Sequence, residues 1–137
     1  MKSRENLIRL KRFQVDEKRR QVTQIETMIA DFERMAEELD RQIAEEERRV
    51  GVDDVTHFAY PTFAKAAAQR RDNLKGSIAG LEQQLSTAQD ALAEAFEELK
   101  KVELLEERNH ERERVEENQR SQTEMETIGL AMHMRAT

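Results

Sequence analysis

Three histidines (His57, His110 and His133) and many carboxylates are the residues here that could do chemistry, and there is no cysteine. A helix-borne metal site needs its ligands on one face, and no two of these histidines share an i, i+4 spacing. Without cysteine, disulfides and thiolate metal sites are excluded. The carboxylates alternate with lysine and arginine, which is the pattern of solvated helix faces and not of a catalytic acid–base pair. No GxxxxGK[ST] loop is present to cradle a phosphate. The expectation is a non-enzymatic chain without metal or cofactor, whose chemistry is that of contact.

Two groups of residues suit contact. Phe58, Tyr60 and Phe63 gather three of the six aromatics beside the only proline, Pro61. Such a cluster can close the end of a helix pair, and it can equally anchor a partner, since desolvated aromatics dominate interface energetics. The second group lies near the N-terminus, where Leu10 and Phe13 stand among Arg9, Arg12 and Arg19. Scattered exposed apolar residues are ordinary on a protein surface. A partner enclosing this basic segment would give them a use.

The elements that must carry these residues are helices. Charged residues make up 38% of the 137, aromatics 4%, and there are only four glycines. A compact globule needs more large apolar side chains than this to offset chain entropy, so either disorder or long helices with a narrow seam must follow. Periodicity decides for helices. Ile8, Val15, Val22, Ile29, Ala36, Ile43 and Val50 recur every seventh residue, and define position a of a heptad. The matching d positions are Lys11, Lys18, Ile25, Phe32, Leu39 and Glu46. A second repeat places Ile78, Leu85, Leu92 and Leu99 at a, with Leu74, Leu81, Ala88, Ala95 and Val102 at d. A seven-residue period sustained in this way is a coiled-coil seam. Leu10 and Phe13 fall at c and f, off the seam. So do Gly76 and Gly80, each costing a helix about 1 kcal/mol against alanine, either as tolerated surface glycines or as places of close backbone approach.

Gly51 follows the first repeat, and Pro61 suits the first turn of a new helix. The spacing therefore predicts an all-α, elongated, antiparallel hairpin occupying residues 1–137 as one unit. Helix 1 covers about 3–50, a connection 51–60, and helix 2 about 61–125, with a frayed tail at 126–137. Charge supports the fold-back. Residues 1–20 hold eight bases against three acids, whereas residues 90–109 hold seven acids against three bases. Pairing residues whose numbers sum to 110 aligns the layers and these charges, and a register one heptad longer, summing to 117, keeps most layers too. A monomeric hairpin and a four-helix dimer share the pattern. The net charge of −6 argues against nucleic acid as the main partner. No apolar run is long enough to span a bilayer, nothing at the N-terminus reads as a secretory signal, and the cytoplasm is the expected location.

Over essentially its whole length the chain resembles the flagellar export FliJ family in its alphaproteobacterial form. The resemblance rests on the stretch His57-Phe58-Ala59-Tyr60-Pro61-Thr62-Phe63-Ala64-Lys65-Ala66-Ala67-Ala68, which contains a Tyr-x-x-Phe pattern at Tyr60 and Phe63. It rests also on the charged run Glu117-Asn118-Gln119-Arg120-Ser121-Gln122-Thr123-Glu124-Met125-Glu126, where Glu126-Thr127 stands in place of the family's usual Asp-Glu. The resemblance implies a stalk and adaptor of the type III export apparatus, similar to the central stalk of rotary ATP synthases. Its terminal end would enter the hexameric export ATPase, its shaft would contact the export gate protein, and it would handle export chaperones at the cytoplasmic face of the flagellar basal body. Membrane contact would be indirect, through the gate. On this reading Tyr60 and Phe63, with Phe58, belong to the gate end, and Arg9, Leu10, Arg12, Phe13 and Arg19 to the ATPase end. The equivalent stalk of a virulence-type secretion system and an unrelated coiled-coil scaffold are the alternatives.

Overall fold

A computed structural model describes residues 2–52 and 59–136, with side chains described for 2–49 and 62–136. The described residues form two helices, α1 (Lys2–Val52) and α2 (Ala59–Ala136), packed against each other as an all-α hairpin. α1 runs through Gly51, where the sequence pattern placed its end. α2 begins at Ala59, so Pro61 sits two residues inside the helix. That position is tolerated because the first four N–H groups of a helix have no acceptor within it, and proline forfeits nothing there.

The C-terminal end of α2 differs from expectation. The helix continues through Ala136, beyond the predicted fraying from residue 126. Residues 111–136 are all exposed. Local bonds follow the turns instead: Arg114 donates to Glu111 at 2.7 Å, and the Thr123 and Thr127 hydroxyls each donate to the carbonyl four residues back at 2.9 Å. With no proline and a single glycine, Gly129, the segment has nothing that breaks a helix.

Packing divides the chain into two units, residues Met1–Phe13 with Phe96–Thr137, and residues Gln14–Ala95. In the larger unit Val15, Ile29, Ala36, Ala67, Leu81 and Ala95 are buried. In the terminal unit Leu99 is buried, with Ile8 and Val102 half-buried. Every one of the buried residues is an a or d position of the two repeats, so the heptad seam is the core. Among the described residues no side chain is completely enclosed. A two-helix seam buries side chains between its partners and leaves their flanks to water.

Cross-helix ion pairs fix the register inside each unit. In the terminal unit Lys11 Nζ donates to Glu98 Oε2 at 2.9 Å, and Arg4 lies 3.7 Å from Glu106. In the larger unit Arg71 Nη1 donates to Asp40 Oδ1 at 3.0 Å, which raises the Arg71 pKa. The numbers of these pairs sum to 109, 110 and 111 respectively. The register summing to 117 would move each acid a full heptad, about 10 Å, from its base.

Candidate functional site

The terminal unit brings together Arg9, Leu10, Arg12 and Phe13 on α1. Its seam-side cations are occupied, Lys11 by Glu98 and Arg4 by Glu106. The Glu106 carboxylate, only 12% exposed, also receives His110 Nε2 at 3.3 Å from one turn later. Arg9 and Arg12 are exposed, and among the described residues no acid lies within ion-pair distance of either. Beside them Leu10 and Phe13 are exposed by 50% and 57%. One face of this helix thus neutralises its charge internally, and another holds exposed cations and apolar side chains together. Arg19 lies in the larger unit, 4.0 Å from Asp16.

The terminal unit also exposes residues that the sequence pattern did not single out. Leu7, Leu104 and Leu105 are exposed, at g, f and g of the repeats. Leu104-Leu105, a leucine pair two residues after the d residue Val102, was the available signal, since a seam needs neither. Met125, Ile128 and Met132 form a short apolar stripe at i, i+3 and i+7 on the unpacked end of α2, all more than half exposed.

Of the aromatic group, Phe63 is exposed on the first turns of α2, and it falls at g. Phe58 and the side chain of Tyr60 lie outside the described residues. No helix among the described residues is long and apolar enough to cross a membrane.

A family model for the flagellar FliJ protein matches residues 4–136, nearly the whole chain. The chain belongs to the FliJ family. FliJ-family proteins are non-catalytic components of flagellar protein export, and membership selects the flagellar reading over an unrelated scaffold. Comparison with individual curated proteins and with solved structures gives no match. In this FliJ-family chain the surfaces open to partners are therefore the exposed ones just described, carried on a hairpin whose seam is already filled.

Proposed function

We propose that the chain is the non-enzymatic stalk and adaptor that couples the flagellar export ATPase ring to the export gate protein, and that it also handles export chaperones. The observation that carries this is the terminal unit. It pairs its seam cations internally and leaves Arg9 and Arg12 free beside exposed Leu10 and Phe13. Membership of the FliJ family supplies the setting in which such a surface meets an export ATPase. The ATPase takes the surface around Arg9, Leu10, Arg12, Phe13 and Arg19, the gate takes that around Phe58, Tyr60 and Phe63, and the assembly works at the cytoplasmic face of the basal body. The test is affinity capture of the tagged chain from its native cell, with the export ATPase and gate protein identified by mass spectrometry. Both should co-purify. Capture of neither from motile cells refutes the proposal.

A further inference from the structure

The d positions of α1 open with three cations at heptad spacing, Arg4, Lys11 and Lys18. Arg4 is met by Glu106, and Lys11 by Glu98, which stands at g of α2. One heptad back from Glu98, the place that would serve Lys18 is held by Ala91. Lys18 is half-buried, and among the described residues no carboxylate lies within ion-pair distance of it. A cation drawn part-way out of water without a counter-charge is a cost that a paired one avoids.

Lys18 lines a groove of about 540 Å³ on the g flank of the larger unit. The remaining lining is uncharged, and includes Gln21 and Ile25 of α1 with Gly80, Gln84, Ala88 and Ala91 of α2. The two flanks of α1 differ sharply here. From residue 14 to 42 the g positions Gln14, Gln21, Met28, Met35 and Gln42 carry no charge, Arg49 being the next g residue, whereas the e positions Arg12, Arg19, Glu26, Glu33, Asp40 and Glu47 are all charged. In a chain that is 38% charged, this asymmetry leaves the g flank of that stretch free of charge, with glutamine and methionine in place of the acids and bases of the e flank. Gly80 adds that a Cβ placed on it would meet nothing within 4 Å, so the hairpin's own packing does not ask for glycine.

We propose that this groove docks an amphipathic helix of another protein, which lays its apolar face along Ile25, Gly80, Ala88 and Ala91 and brings an Asp or Glu to Lys18. The missing charge identifies the class of occupant. A second copy of this chain docked groove to groove would supply no acid, because none lines the groove, and would leave two cations unpaired. By the register, Gly80 lies about 12 residues of helix rise from Lys18, so the docking helix spans at least about 18 Å. The site is separate from the Arg9–Phe13 surface and from Phe58, Tyr60 and Phe63, and does not depend on either of those assignments.

The test uses fluorescence anisotropy with the full chain and two synthetic amphipathic peptides of about 21 residues, roughly 30 Å when helical. They carry leucine and alanine on one face and differ only in one terminal-turn residue, glutamate or glutamine. The glutamate peptide should bind at least tenfold more tightly at low salt, and Lys18→Met should abolish that preference. Ala91→Glu should place an acid beside Lys18 as Glu98 stands beside Lys11, so it should raise the melting temperature while losing the peptide. A merely structural role for the groove would not couple a gain in stability to a loss of binding. Equal affinity for the two peptides, no binding by the wild-type chain, or unchanged binding by Ala91→Glu overturns the proposal. So does self-association of the wild-type chain that Ala91→Glu removes, because the occupant would then be a second copy. Native-cell capture of ATPase and gate reads the earlier proposal independently of this one.

Discussion

Lys11 holds the Glu98 carboxyl below its ordinary range, first through the hydrogen bond it donates and then through the attraction of its charge. Lys101 adds a smaller attraction, and partial desolvation opposes all three. A depressed folded pKa means that the unfolded chain binds the proton more readily. The pair's contribution is therefore present above the unfolded pKa of Glu98, about 4.3 for an unperturbed glutamate, and is lost as pH falls through the lower folded value. A double-mutant cycle of Lys11→Met and Glu98→Gln should show a small coupling at pH 7 that is lost as pH falls through the lowered folded pKa of Glu98; coupling unchanged in strong acid would contradict it. Glu106 behaves differently, because it occupies a seam position. Its Oε2 is buried without a hydrogen bond, and Arg4 lies 3.7 Å away. Replacing a poorly satisfied buried ion with an apolar residue of similar size is often stabilising. Glu106→Leu should raise the thermal midpoint, by roughly 1 kcal/mol of stability, whereas Glu106→Ala should not, since it leaves a void at the same position.

Within each unit the seam is where sequence and structure agree most closely, and the reason is that its period is local. Apolar residues seven apart must share a helix face whatever lies opposite, so Ile29, Ala36, Leu81 and Leu99 were legible as core. The partner register was not, because a one-heptad slip preserves the layers; the cross-helix pairs Arg71–Asp40, Lys11–Glu98 and Arg4–Glu106 separate the two alternatives. The length of α2 was not legible either. Fraying was expected from the lack of an apolar face, yet helix needs no partner where local bonds continue and nothing interrupts them. Two measurements follow from these elements. Ile29→Ala opens a cavity in the seam and should cost about 2 kcal/mol, at the low end for core truncations because the flanks are open to water, while Leu10→Ala on the outer face should change stability by less than about 0.5 kcal/mol. Limited proteolysis should cut first beyond residue 110, since most helix stability in proteins comes from packing and residues 111–136 are all exposed. First cleavage between 20 and 49 would mean that the seam, and not the tail, is the weaker segment.

At the scale of the whole molecule the proposed function requires that different regions of one chain serve different proteins. Family membership was legible in the stretch around Tyr60-Pro61-Thr62-Phe63, and the assignment of partners to residues was not, because a hairpin sequence encodes its own seam far more strongly than the identity of what touches its outer faces. The two regions nevertheless differ in physical character. Arg9 and Arg12 are exposed, unpaired cations, so a contact made through them should be screened by salt, mostly through its association rate. Phe58, Tyr60 and Phe63 are aromatic, and a contact made through such residues would rest on desolvation that depends little on ionic strength. Reversing Arg9, Arg12 and Arg19 to glutamate should weaken ATPase binding at least tenfold at low salt and spare the gate. Changing Tyr60 and Phe63 together to alanine should do the reverse, and the residual ATPase binding should keep its full salt dependence. Binding of each purified partner, measured across a range of salt with circular dichroism confirming intact helices, decides the matter. If both sets of changes weaken both partners alike, one surface serves both and the division between regions is wrong.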